Sequence, residues 1–91
     1  MTAAALHRAM GARCAAALRD VYPRDAAKHL SNEFGLSLPT AKKYLAGNFP
    51  SGATFARMLQ RFGPRFAAFV LEPCGDWTAA LRLEAELEAL D

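Results

Sequence analysis

Two short helical segments joined by a tight turn, at residues 30–47, constrain the fold of this chain more than any other feature. The stretch reads LSNEFGLSLPTAKKYLAG, and the apolar positions of each segment fall on one helical face. Gly35 supplies the turn, because glycine adopts a left-handed backbone without steric penalty. Ser37 is a candidate N-cap, Pro39 suits a first helical turn, and Gly47 suits a helix end. The stretch therefore predicts two short helices crossed at a steep angle, the helix-turn-helix geometry.

Proline and glycine residues divide the rest of the chain into further helical segments. Within each segment apolar residues recur at three- and four-residue spacing, as on one face of a helix. No stretch alternates like a strand, and there is no internal repeat. We predict an all-α fold of five or six helices, over residues 3–22, 24–34, 38–46, 53–62, 64–71 and 77–90.

The apolar faces of these segments predict the core. In the first helix the predicted inward stripe comprises Leu6, Met10, Cys14, Ala17, Leu18 and Val21. In the fifth it comprises Phe66, Phe69 and Val70. Gly11 interrupts the first stripe and predicts the close approach of another helix. Phe49, the bulky apolar residue of the loop after the third helix, is expected to plug the core.

Length and composition bound the class of protein. A chain of 91 residues, 53% of them apolar, predicts one folded domain. Cys14 and Cys74 stand too far apart in sequence for a zinc motif, so we expect reduced thiols. No apolar run approaches the ~20 residues of a membrane span, and the N-terminus lacks the regions of a secretory signal. We expect a cytoplasmic protein.

Charge is distributed unevenly along the chain. Residues 1–62 carry nine lysine and arginine residues against three acidic ones, a net charge of +6, whereas residues 63–91 carry a net charge of −4. A basic body with an acidic end is typical of a protein that presents one face to a polyanion. The alternative is an ordinary solvated surface.

Catalytic motifs are missing from the sequence. His7 and His29 fall on separate predicted helices, with no paired acid or nucleophile at a useful spacing. There is also no glycine-rich phosphate loop, no HExxH and no Cys/His cluster. We therefore expect no enzyme activity, no cofactor, no metal and no small-molecule substrate.

The helix-turn-helix stretch resembles that of the Cro and phage-repressor family. The resemblance covers about residues 4–63. The matching positions are Leu30 and Ser31, Phe34 and Gly35, Leu36 and Ser37, Thr40 and Ala41, Tyr44 and Leu45, Gly47, and downstream Pro50, Ser51, Leu59 and Gly63. The resemblance implies a lambda-repressor-like bundle with a central helix-turn-helix, and a DNA-binding domain over residues 1–75.

In such proteins the second helix of the motif reads bases in the major groove, here helix 38–46. The implied base-reading residues are Leu38, Pro39, Lys42 and Lys43. Lys43 is the best candidate to bind guanine, and Leu38 could contact a thymine methyl group. The implied phosphate-binding residues are Lys28, Ser37, Thr40, Asn48, Ser51 and Thr54. Leu38 and Pro39 depart from the family, which commonly carries polar or charged readers there.

Residues 76–91 form a predicted acidic amphipathic helix with leucines in a heptad-like seam. Its candidate dimerisation residues are Trp77, Ala80, Leu83, Leu87 and Leu90. The seam either folds back on the first and fifth helices or forms a dimer interface. A dimer would present two recognition helices about one DNA turn apart, ~34 Å, and would predict a near-palindromic site.

Together these features predict a sequence-specific double-stranded DNA-binding transcriptional regulator of a bacterium, phage or mobile element. We expect it to act as a homodimer, as repressor or activator, in the bacterial nucleoid. One rival reading is a helical interaction module that binds RNA polymerase or a partner subunit through helices 64–71 and 77–90. Another is an antitoxin-like repressor whose last helix also occupies a toxin.

Overall fold

Five α-helices and one turn of 3-10 helix make up most of the computed structural model, which describes residues 2–75 and 86–89. The helices are α1 (Ala3–Val21), α2 (Ala26–Phe34), α3 (Leu38–Leu45), α4 (Gly52–Phe62) and α5 (Pro64–Leu71), followed by the 3-10 turn Glu72–Cys74. Residues 86–89 are also helical. No strand occurs in these two ranges. The all-α prediction is confirmed.

The ends of α1 to α5 agree with the predicted ends to within two residues, whereas the predicted ends of helix 77–90 lie outside the described residues. The differences have local causes. Helix α3 stops at Leu45, because Ala46 and the positive φ of Gly47 (106°) end the helical backbone. Helix α2 begins only at Ala26, because its N-cap Asp25 has a left-handed backbone with φ of 52°. The side chain of Asp25 makes no capping hydrogen bond.

One hydrophobic core joins the five helices. Helix α1 packs against α3 and α5, α2 packs against α3, and α4 packs against α5. The buried cluster comprises Cys14, Leu18, Leu30, Phe34, Ala41, Leu45, Met58, Phe66 and Val70. Phe49 packs against this cluster, with its ring centroid 4.8 Å from that of Phe55, so its predicted role is confirmed.

Two residues of the predicted core lie at the surface instead. Val21, at the end of α1, is 42% exposed, and Phe69 on α5 is 41% exposed. Val21 is the last residue of α1, and Phe69 lies beside the buried face of α5 that carries Phe66 and Val70. Spacing alone therefore assigned the correct face of each helix but too many residues of that face to the core.

Gly11 allows the end of α3 to approach α1 closely. A Cβ atom at this position would lie 2.1 Å from the carbonyl oxygen of Gly47 and 3.1 Å from the amide nitrogen of Phe49. The predicted close approach is present, but the neighbour is the loop that follows α3 rather than a helix. This contact holds the C-terminal end of α3 against the middle of α1.

Both cysteines are free thiols. Cys14 lies in the core, where desolvation raises its pKa to about 12, so the thiol is protonated at neutral pH and unreactive. Cys74 is exposed, and its Sγ atom lies 3.3 Å from Sδ of Met10. Among the helices of the described ranges, none combines the length and apolar character that a membrane span requires.

Candidate nucleic-acid interface

Ser31 closes the turn between α2 and α3 through hydrogen bonds of its backbone carbonyl and of its side-chain hydroxyl. Gly35 adopts the left-handed conformation, with φ of 64°, and its N–H donates to the carbonyl of Ser31. The N–H of Leu36 donates to the same carbonyl at 3.1 Å. The hydroxyl of Ser31 in turn donates to the carbonyl of Leu36 at 2.6 Å. Ser31 therefore holds the turn through its backbone and its side chain together.

The start of α3 carries the predicted N-cap. The hydroxyl oxygen of Ser37 accepts a hydrogen bond from the N–H of Thr40 at 3.3 Å, and the hydroxyls of the two residues lie 2.9 Å apart. Pro39 occupies the first turn, where its missing N–H removes no helical hydrogen bond. The helix thus begins at a defined residue, which fixes the direction in which its exposed side chains point.

The end of α3 is capped by groups from two other parts of the chain. The backbone N–H and the side-chain amide of Asn48 donate to the carbonyl of Lys43 at 3.1 and 3.0 Å. From α1, the guanidinium of Arg19 donates to the carbonyl of Leu45 at 3.0 Å. These donors satisfy carbonyl groups that a helix end leaves without partners, and the arginine charge complements the helix dipole.

A second arginine caps α2 in the same way. The guanidinium of Arg57 on α4 donates to the carbonyl of Phe34 at 3.0 Å and lies 5.7 Å from the centroid of its ring. In the sequence, Arg19 and Arg57 are only two of the nine lysine and arginine residues of residues 1–62. No local pattern marks their role, because the capped carbonyls lie 26 and 23 residues away along the chain.

The outer face of α3 carries the four candidate base-reading residues. Leu38 is 44% exposed, and Pro39, Lys42 and Lys43 are exposed as well. Ala41, on the opposite face, is fully buried. No acidic residue in the described part of the chain forms an ion pair with either lysine. This face therefore combines two positive charges with a small apolar tip at its N-terminal end.

The candidate phosphate-binding residues differ in accessibility. Lys28 on α2 is exposed, and so is Ser51, the N-cap of α4. The N–H of Ser51 lies 3.5 Å from the hydroxyl of Tyr44, which links the start of α4 to α3. Thr54 is buried, with its hydroxyl 3.1 Å from that of Ser51. Because a buried side chain does not reach a phosphate at the surface, the position of Thr54 does not suit the predicted phosphate contact.

A polar cluster ties α2 to α1 and α4 beside this unit. Glu33 accepts a hydrogen bond from the hydroxyl of Tyr22 and forms an ion pair with Arg61. The bond from Tyr22 and the charge of Arg61 lower the pKa of the Glu33 carboxyl, against the opposing effect of desolvation. Desolvation and the bond to Glu33 raise the pKa of Tyr22 to about 12. The ring of Tyr22 stacks on that of His29 at 5.1 Å.

The predicted dimerisation residues fall mostly outside the described residues, namely Trp77, Ala80, Leu83 and Leu90. Leu87 is described, and it is 57% exposed. Within residues 86–89, then, the leucine of the predicted seam does not pack into the core of its own chain.

Residues 2–75 and 86–89 contain no group of three histidine, cysteine or acidic side chains that could hold a metal ion. Comparison of the chain with protein-family models, with curated proteins and with solved structures finds no match. The functional assignment of the α2–turn–α3 unit therefore depends on its own residues and their geometry.

Proposed function

We propose that this protein is a sequence-specific double-stranded DNA-binding regulator of transcription with a lambda-repressor-like helix-turn-helix. In this proposal α3 enters the major groove, and the protein acts as a homodimer in the cytoplasm of a bacterium. The observation that carries it is the outer face of α3. That face exposes two lysines without acidic partners among the described residues, on a helix whose two ends are both capped.

Rigid placement supports base reading by this helix. A side chain discriminates between bases only if its donor reaches one base edge repeatedly, so the helix that carries it must be held in one orientation. The Gly11 contact and the Arg19 cap hold the C-terminal end of α3, and the Ser31 turn holds its N-terminal end. Lys43 would then donate to guanine O6 or N7, and Leu38 would contact a thymine methyl group.

The surrounding charge supports binding to the DNA backbone. Residues 2–75 carry ten lysine and arginine residues against four acidic ones. Two of those acids, Glu33 and Glu72, are paired with Arg61 and Arg13. The remaining positive charge suits a polyanion. Phosphates would be bound by Lys28, by Ser51 and by the amides at the start of α3, where Ser37 and Thr40 lie. Asn48 keeps one amide hydrogen for the same role, since its other one caps α3.

Selection of duplexes from a random pool, followed by titration at two salt concentrations, tests the proposal. We expect a preferred site whose affinity falls steeply with salt, because phosphate binding releases counterions. Lys43→Ala should reduce the discrimination at one base position by about 10- to 100-fold, the usual value of one good base contact. Lys28→Ala removes the same charge from an exposed position of α2, and should weaken preferred and random duplexes equally.

Failure to retard any duplex at low ionic strength contradicts the proposal. So does a pair of lysine variants that behave identically on preferred and random DNA, because α3 would then contribute charge without reading bases. Circular dichroism of both variants checks that α3 remains folded.

A second candidate function is the helical interaction module that uses helices 64–71 and 77–90. It is favoured by the exposed apolar surface beside α5, where Phe69 and Val21 face solvent. A protein that binds no DNA but retains this surface would support the module over the regulator. Its binding partner would then be a protein such as RNA polymerase or a partner subunit.

A further inference from the structure

A groove of about 680 Å³ runs between the C-terminal half of α1 and the facing sides of α4 and α5. Its lining is largely apolar and includes Ala17, Val21, Phe62, Phe66 and Phe69. Three charged residues, Asp20, Arg61 and Arg65, complete the lining. The groove is separate from the outer face of α3, none of whose four exposed residues contributes to it.

Two apolar residues of this groove are exposed although their spacing is that of core residues. Val21 and Phe69 are the two members of predicted inward stripes that lie at the surface, and both line the groove. Clustered apolar side chains exposed together mark an interaction surface far more often than single exposed ones do. The groove therefore has the properties of an interaction surface.

The chain itself carries a segment that complements the groove. Leu87 is 57% exposed in the helical residues 86–89 and stands between Glu86 and Glu88. On the groove side, Arg65 forms no ion pair with an acid of the described ranges, whereas Arg61 is paired with Glu33. An exposed leucine flanked by glutamates matches an apolar groove whose Arg65 has no acidic partner among residues 2–75 and 86–89.

We propose that residues 76–91 of a second copy of this chain dock in the α1/α4/α5 groove, with Leu87 in the apolar part and Glu86 or Glu88 beside Arg65. The inference rests on the homodimer of the proposed function and names its interface. Docking is reciprocal, so that each copy fills the groove of the other.

Reciprocity follows from the size of the contact. A stable protein interface buries roughly 800 Å² on each partner, and a segment of sixteen residues in one groove supplies only part of that. A two-fold axis doubles the contact without any further surface, because the same patch is used on both copies. In this closed arrangement the groove and the Leu87 segment of each copy are both buried, so neither is free to bind a third copy.

Sedimentation equilibrium of the full chain, without DNA, tests the inference. We expect a mass twice the 9.9 kDa of the chain. Val21→Glu and Leu87→Glu should each raise the dimer dissociation constant at least about 30-fold, because each places a charge at the centre of the apolar contact. Leu38→Glu is the matched control, since Leu38 is an equally exposed leucine on α3, and this variant should remain dimeric.

A charge exchange between the two surfaces distinguishes loss of the interface from misfolding of a variant. Arg65→Glu alone should weaken the dimer, and Arg65→Glu combined with Glu86→Lys and Glu88→Lys should restore it, which an unfolded protein does not do. A wild-type chain that stays monomeric overturns the inference, as does a dimer that all these variants leave unchanged. A monomer whose melting temperature falls with Leu87→Glu also overturns it, because residues 76–91 would then pack on their own chain.

The two proposals fail separately. A monomer that still binds a DNA half-site contradicts the groove interface and leaves DNA recognition standing. A dimer that binds no DNA duplex contradicts DNA recognition and leaves the groove interface standing.

Discussion

The α2–turn–α3 unit and the α1/α4/α5 groove lie on one small domain but present opposite kinds of surface. In the first, polar groups at the helix ends are satisfied from within the protein, and the outer face is left to Lys42 and Lys43. In the second, Val21 and Phe69 are partly exposed in a largely apolar lining, and the guanidinium of Arg13 lies 4.0 Å from the centroid of the Phe69 ring. A hydrated polyanion requires fixed charges, whereas a protein partner requires apolar area, and the two proposals each use one of these surfaces.

The two regions also differ in what holds them together. Helix α3 has eight residues, well below the ~12–15 at which an isolated helix becomes stable in water. Ala41 and Leu45 bury one face of α3 in the core. Gly11, Arg19 and Ser31, which all lie outside α3 in the sequence, hold its two ends. Helix α5 also has eight residues, but no side chain caps its N-terminus. Substitutions that break the supports of α3 should therefore cost more than substitutions in the groove.

Of the substitutions considered, Gly11→Ala should lower the stability of the fold the most. The new methyl group would meet the carbonyl of Gly47, so the end of α3 would have to move away from α1. Overpacking against backbone costs about 1–3 kcal/mol, less the roughly 1 kcal/mol that alanine gains in a helix. We expect a melting temperature lower by about 5–10 °C, measured by circular dichroism, and weaker DNA binding.

The control for this variant is Gly52→Ala, at the first position of α4. A Cβ atom there meets nothing within 4 Å, and the backbone is not left-handed. This substitution should leave the protein unchanged or stabilise it by about 0.4–1 kcal/mol. Equal losses from both variants would show that the contact between α1 and the end of α3 contributes nothing.

Ser31→Ala should have an intermediate effect. It removes the hydrogen bond from the Ser31 hydroxyl to the carbonyl of Leu36, which costs about 1 kcal/mol. Urea denaturation measures this loss. Asn32→Ala, at the adjacent exposed position of α2, should change stability by less than about 0.5 kcal/mol. A Ser31 variant as stable as the Asn32 variant would show that Gly35 alone closes the turn.

Glu33→Gln should have the smallest effect, and one that depends on pH. The folded state lowers the pKa of Glu33 below 4.5, so the ionised carboxylate stabilises the fold above that pH. This contribution is lost as the pH falls through the folded-state value. Because the pair with Arg61 lies at the surface, we expect a loss of at most about 1 kcal/mol at neutral pH.

Thermal melts between pH 3 and pH 7 check this sign. The difference between the native chain and the Glu33→Gln variant should be largest at neutral pH and shrink in acid. Parallel melting profiles across that range would mean that Tyr22 and Arg61 do not favour the charged form of Glu33.

Helix positions were predictable wherever the signal lies within a few residues. Ser37 caps a helix three residues from its partner, and Gly35 adopts the left-handed turn that only a residue without Cβ adopts freely. Asp25 escaped prediction, because its left-handed backbone is not marked by its residue type. The face of each helix was likewise predictable, since it depends only on spacing.

The sequence identified the residues of the candidate site, but it did not predict which of them are buried. Lys42, Lys43 and Leu38 were identified from the motif, and their exposure agrees with that reading. Thr54 was assigned to the same surface, yet it is buried. Whether a polar residue near a helix start faces solvent depends on which helix packs over it, and nothing within its own segment encodes that.

The sequence by itself determined the helices, the turn at Gly35, the capped start of α3 and the charge on its outer face. These follow from local sterics, hydrogen bonds over a few residues and helical periodicity. The tertiary structure alone decided that Arg19 and Arg57 cap helices more than 20 residues away, and that Val21 and Phe69 stay outside the core. Those outcomes depend on how the helices pack against one another, which no single segment determines.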